Sequence, residues 1–186
     1  MESNPVDALD FVARALESLG ITYEVTGSVA GFYYGRERTT RDIDIVVDMA
    51  TVEASSLAAA LAPRYFLDER MVRDSALSGI MFNAIPNGAG PKIDFVPLSQ
   101  DPYDRGQFAR RAPADLGGAR VVLIQGQDLV ISKLRWAKAS GSERQLADVR
   151  AILAAGVELD EDFEVWVEVL ELEGVLEASR SARYDA

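Results

Sequence analysis

At 186 residues and 48% hydrophobic content, the chain is long enough for one good core and has an ordinary globular composition. It contains no cysteine and no histidine, which excludes disulfides, thiol and imidazole nucleophiles and most zinc sites, and leaves carboxylates with hard cations as the accessible metal chemistry. The net charge of −11 argues against a non-specific nucleic-acid binder, yet residues 101–150 carry 9 basic against 6 acidic groups while residues 151–186 carry 2 against 10. No apolar run reaches transmembrane length, and Met1-Glu2-Ser3 lacks the charged and apolar regions of a signal peptide. A cytoplasmic protein without membrane contact is the expectation.

Ser3 or Asn4 can cap a first helix, with Pro5 in its first turn, Gly20 past its end, and Leu9, Val12, Leu16 and Leu19 on one face. From Thr22 to Asp48 the pattern reads as strand, Gly27-Ser28 turn, short helix, basic loop with Arg38 and Arg41, and second strand. Thr51 to Ala62 is Ala/Leu-rich and stops before Pro63, so it predicts a helix; Tyr65-Phe66 suits a short strand, and Glu69 to Ser75 a polar turn or short helix. Ile80 to Ile85 and Lys92 to Val96 flank Pro86-Asn87-Gly88-Ala89-Gly90-Pro91, a hairpin signal. Pro97 to Pro113 reads as a polar connection with a helical turn over Tyr103 to Arg111. Val121 to Ile124 is a buried strand, and Gln127 to Lys138 a helix. Ser142-Glu143-Arg144-Gln145 fits a capping box opening the next helix, and a last helix starts near Asp160 with Phe163, Trp166, Val167 and Leu170 as its stripe. Trp136 and Trp166 are assigned to the helical core. There are no internal repeats and no clear interdomain linker.

The second strand of the Thr22–Asp48 stretch carries the chemistry. Asp42 and Asp44 are two residues apart and share a face, while Ile43, Ile45 and Val47 share the other. Adjacent carboxylates repel, so the arrangement asks for a metal or an arginine. Glycine lets a backbone approach a ligand, and N–H groups at a helix start favour an anion such as phosphate, so the Gly27-Ser28 turn supplies a complementary element. Asp94, between Ile93 and Phe95, is either the wet side of an amphipathic strand or a third carboxylate on the Asp42/Asp44 face. A plainer reading pairs the aspartates with Arg38, Arg41 or Lys92. Lys133 has Leu129, Val130, Leu134 and Ala137 as helical neighbours, and a lysine so placed snorkels outward about as often as it serves a site.

Thr26-Gly27-Ser28, a gap of thirteen residues, Asp42-Ile43-Asp44-Ile45 and then Lys92-Ile93-Asp94-Phe95-Val96 resemble the signature of the nucleotidyltransferase superfamily that includes the DNA polymerase β-like enzymes. Asp128 to Ala137 and Arg144 to Asp148 extend the similarity toward the minimal and AbiEii-type bacterial nucleotidyltransferases, many of them toxin–antitoxin toxins or antibiotic-modifying proteins. The resemblance covers roughly residues 20–155, and its first block is the more specific.

It implies an α+β fold: a mixed, partly antiparallel sheet with flanking helices, residues 1–125 forming the core and 126–186 a helical region packed on it as a single compact unit. It also implies transfer of a nucleoside monophosphate from an NTP, with ATP-binding among the expectations, to a hydroxyl acceptor with release of pyrophosphate. Asp42, Asp44 and Asp94 would be catalytic and metal-ligating, holding two Mg²⁺ ions or Mn²⁺. Gly27, Ser28, Lys133 and Arg41 would bind the nucleotide, with Asp148 a partner of Lys133 or, as the plainer reading, a member of an exposed helical ion pair. The acceptor is an RNA 3′ end, a protein side chain or a small molecule, and a toxin role would bring an antitoxin partner. The rival reading is a catalytically silent nucleotide- or partner-binding member of the same fold; a DxD glycosyltransferase is a lesser alternative, since such a domain normally needs a longer chain.

Overall fold

Alternation in the strands builds the centre of the protein. In the computed structural model, which describes residues 5–36 and 42–181, the order is α1 (Pro5–Ser18), β1 (Tyr23–Val25), α2 (Gly27–Tyr33), β2 (Asp42–Val47), α3 (Ala54–Leu61), β3 (Tyr65–Phe66), α4 (Glu69–Ser78), β4 (Phe82–Pro86), β5 (Lys92–Pro97), α5 (Pro102–Arg110), β6 (Ala112–Leu116), β7 (Ala119–Leu123), α6 (Gly126–Ser140), α7 (Glu143–Ala154), α8 (Glu161–Val169) and α9 (Glu173–Ser181). The cap expected from Ser3 or Asn4, and the basic loop residues Arg38 and Arg41, lie outside the described residues. The protein is α+β with a mixed sheet, and no helix among the described residues is long and apolar enough to cross a membrane.

Two compact units divide the chain, Met1–Val29 with Thr39–Ile124 and Ala30–Arg38 with Gln125–Ala186. The first holds one sheet of seven strands in the order β3-β4-β5-β2-β1-β7-β6. β2 and β5 pair in parallel, β4 and β5 form the expected antiparallel hairpin, and β1 pairs antiparallel with β2 and parallel with β7. Ile43, Ile45, Val47, Phe82, Ala84, Ile93 and Phe95 fill one face and are fully or almost fully buried. α1 lies on this face: Tyr23 Oη donates to Glu17, and Phe11 stacks on Tyr65 with ring centroids 6.2 Å apart. The other face carries Asp42 and Asp44. Helix α5 lies over part of it, since Gln107 Nε2 donates to both carboxylate oxygens of the buried Glu24, at 2.8 and 3.1 Å.

Three local expectations need correction. Ala112 and Pro113 were expected in a connection and residues 114–116 in no element, but residues 112–116 form β6 and pair with β7 across Gly117-Gly118; both glycines have positive φ, which suits the tight reversal. Strand β6 reads poorly in sequence because Pro113 and Asp115 are weak strand formers, tolerated at a sheet edge. The last helix is followed by another, α9, after Glu171 turns the chain with φ 54°. Ser142 stands at the N-cap of α7, but its side chain makes no capping hydrogen bond.

In the second unit α6 packs against α7, α8 and α9. Leu129, Val130, Lys133, Leu134 and Ala137 form the buried stripe of α6. Trp136 falls off that stripe and is 64% exposed, so its assignment to the core is wrong; Trp166 is half-buried. Helical phase outranks hydrophobicity here.

Phe95 on central strand β5 is fully buried and stacks on Phe82, centroids 5.0 Å apart at 18°. Phe95→Ala is expected to destabilise the protein by about 3–5 kcal/mol in urea denaturation, the usual range for emptying such a site.

Candidate active site

The parallel register of β2 and β5 sets the geometry. Asp42 stands opposite Lys92 and Asp44 opposite Asp94. Because neighbouring strands are about 4.8 Å apart and opposed residues point to the same face, three carboxylates and one ammonium form a compact rectangle on the sheet. Asp94 is therefore on the Asp42/Asp44 face. It is also 6% exposed, while Asp42 is exposed and Asp44 half-buried.

Each group around Asp94 can be traced to a strand position. Lys92 Nζ lies 2.9 Å from Asp94 Oδ2, and Asn83 Nδ2, directly opposite on β4, donates to Asp94 Oδ1 at 3.0 Å. The lysine pKa is raised, first of all by its hydrogen bond to Asp94; burial opposes the rise, and the negative charges of Asp94, Asp42 and Asp44 add to it. Lys92 thus neutralises part of the whole cluster. Its spacing two residues before Asp94 was a readable signal of a shared face; the hydrogen bond from Asn83 needs the β4–β5 register and was not readable.

Gly27 completes the arrangement. Its φ is +61°, and a Cβ placed there would overlap the carboxylate of Asp44. Thr26 N–H donates to the Asp44 carbonyl at 3.0 Å, tying the turn to β2. Close approach of backbone and carboxylate is therefore built into the turn, and only glycine permits it. Ser28 follows as a half-buried residue at the start of α2.

The donor set can be tested against a hard divalent cation. Three carboxylates on adjacent strands, with a glycine making room beside one of them, match the oxygen chemistry such ions require. Among the described residues, however, no three acidic groups close around a common point, and Asp94 is turned to Lys92 and Asn83. The residues fit the ion in kind and in strand placement, with Asp94 in contact with Lys92 and Asn83.

Lys133 belongs to the second unit. It is 4% exposed and does not snorkel: its Nζ lies 2.8 Å from Asp148 Oδ2 and 3.2 Å from Gln145 Oε1. Arg36 Nη1 approaches the other Asp148 oxygen at 3.5 Å, so the α7 carboxylate bridges two buried cations. The pair of Lys133 and Asp148 is thus a buried contact and not an exposed helical ion pair. Arg36 had no sequence signal, since its partner lies 112 residues away.

No protein-family model matches the sequence, and no curated protein matches it. Solved structures do. An antigenic nucleotidyltransferase-like protein from Paracoccidioides brasiliensis is similar with a TM-score of 0.57 at 17% identity, over 100% of this chain and 96% of that one. The antibiotic-resistance factor ANT(2'')-Ia is similar with a TM-score of 0.57 at 14% identity, over 97% and 94%. The lincosamide antibiotic adenylyltransferase LnuA is similar with a TM-score of 0.53 at 14% identity, over 83% and 98%. The fold is that of the nucleotidyltransferases.

Two outcomes are expected from this geometry. Gly27→Ala should cost at least about 1–2 kcal/mol, the penalty for a side chain in the left-handed region, with a further loss from displacing Asp44; thermal melts check this. Lys92→Met should lower the melting temperature by roughly 1–3 °C near pH 8, the scale of a partly exposed ion pair. Because the folded-state pKa of Lys92 is raised, its contribution is complete below its ordinary 10.5 and is lost as pH climbs through the higher folded value, so the two melting curves should converge in strong alkali.

Proposed function

We propose that this protein transfers a nucleoside monophosphate from an NTP to a hydroxyl acceptor and releases pyrophosphate. The observation that carries the reading is the register of β2 and β5, which sets Asp44 beside Asp94 on the face that Asp42 shares, with Gly27 against Asp44. The fold shared with nucleotidyltransferases supports it.

In this reading Asp42 and Asp44 hold divalent cations, Mg²⁺ or Mn²⁺, with Asp94 completing the set. Such ions neutralise triphosphate charge and stabilise the leaving oxygen. Gly27 and Ser28 hold the β- and γ-phosphates through backbone N–H groups and the serine hydroxyl. The acceptor oxygen attacks the α-phosphorus, the bond from that phosphorus to the oxygen bridging to the β-phosphate breaks, and pyrophosphate leaves. Asp94 receives the acceptor proton, and Asn83, which donates to one of its oxygens, fixes its orientation. No step is assigned to Lys133, whose charge Asp148 already meets, or to Arg41, outside the described residues.

A small-molecule hydroxyl is the favoured acceptor. LnuA was solved with lincomycin bound and ANT(2'')-Ia with adenylyl-2''-tobramycin. A toxin acting with an antitoxin partner has no comparable support. The second reading, a silent nucleotide binder, draws on the contact of Lys92 with Asp94, which occupies the base and third ligand.

Labelled NTPs, Mg²⁺ or Mn²⁺ and a panel of antibiotic hydroxyl acceptors plus cell extract should give pyrophosphate release and a labelled product. Asp42→Asn and Asp44→Asn should each lower transfer roughly a thousandfold, the scale of several kcal/mol of lost metal stabilisation, with unchanged far-UV circular dichroism. Near-wild-type transfer in either variant would refute the site. Tight NTP binding without turnover across the panel would establish the silent reading.

A further inference from the structure

Among the described residues, Lys92 is the basic residue that strand register builds into the carboxylate rectangle, and the transfer reading gives it no role. It faces Asp42 across the β2–β5 ladder and binds Asp94 at 2.9 Å. The side chains differ in exposure: 37% for Lys92 and 9% for Asp94. The carboxylate is therefore fixed among its neighbours, whereas the lysine reaches in from solvent on a flexible four-carbon stem. Asn83 holds the second oxygen of Asp94 and so fixes its orientation.

We propose that Lys92 is a resident cation on the Asp94 side of the site, which a divalent ion must displace before Asp94 can serve as a metal ligand. The proposal rests on the transfer reading and deepens it. Two observations meet in it: no three acidic groups among the described residues close around one point, and the Asp94 oxygen that Asn83 does not hold is in contact with this lysine. An ammonium and a divalent cation compete for one carboxylate and repel each other at such range. The ammonium is a compact point charge that can leave as a unit; a guanidinium would hold the carboxylate by a bidentate fork and release it less readily. Lys92 then has two effects. It relieves repulsion among three aspartates while no metal is bound, and it weakens metal binding at Asp94 relative to Asp42 and Asp44. It is a positioning residue, acting through Asp94.

Mn²⁺ binding to the full chain without nucleotide, followed by electron paramagnetic resonance of the free ion, tests this. Lys92→Met should tighten Mn²⁺ binding at least about tenfold, the effect of removing one like charge at contact range, while Lys92→Arg should bind no more tightly than wild type. The gain should vanish in the Asp94→Asn background, a coupling that a general change in net charge would not produce. Unchanged or weaker binding by Lys92→Met, or an equal gain with Asp94→Asn, overturns the proposal. Should Lys92→Met fail to fold by circular dichroism, Lys92→Gln carries the same comparison. Wild-type Mn²⁺ binding by Asp42→Asn would instead overturn the metal reading of the whole site, a result distinct from failure at Lys92 alone.

Discussion

Strands β2 and β5 lie side by side in parallel, and this pairing is the constraint on which the rest of the first unit depends. Successive residues of a strand point to opposite faces, so one register decision places Ile43, Ile45, Ile93 and Phe95 in the core and Asp42, Asp44 and Asp94 together on the opposite face. A slip of one residue would bury carboxylates and expose the apolar set. Burial of four large side chains, at about 1.5–3 kcal/mol each, outweighs the repulsion of three carboxylates of which Asp42 and Asp44 still meet solvent, so the core holds the charged site in place. The site is a by-product of the strongest packing in the sheet.

Charge compensation follows the same logic at different depths. At the rectangle, one lysine and one asparagine hold the buried Asp94. Glu24 is fully buried and needs a dedicated partner, which Gln107 of α5 supplies. In the second unit Asp148 stands between Lys133 and Arg36, all three nearly inaccessible to solvent. Breaking one member of such a buried set leaves an uncompensated charge, which makes it a structural clamp for α6 and α7 whatever else it serves.

The legible parts of the chain were those with strong local patterns. The β4–β5 hairpin announced itself through a run of Pro, Asn and Gly residues, and α1 and α6 through helical periodicity. Asp42 and Asp44 were legible as a pair because period-two alternation is local. Where local and tertiary preferences diverged, the reading failed. Strand β6 contains residues that disfavour strands and exists because β7 offers it a ladder. Trp136 was read as core by its hydrophobicity, while the phase of α6 turned it to solvent. Ser142 had the capping pattern but makes no capping bond, since a pattern supplies the group without its rotamer.

By itself the sequence determined the chemical vocabulary and the two faces of β2 and β5. Without histidine or cysteine, any catalytic metal must meet carboxylates, and the alternation around Asp42, Asp44 and Asp94 dictates which residues travel together. Only the tertiary structure decided that Asp94 lies opposite Asp44, that Lys92 and Asn83 hold it, and that Asp148 joins Lys133 to Arg36. The physical reason is the range of the forces involved. Backbone periodicity acts over a few residues, whereas the partners of Asp44 and Arg36 lie 50 and 112 positions away and meet them only when strand register and helix packing close.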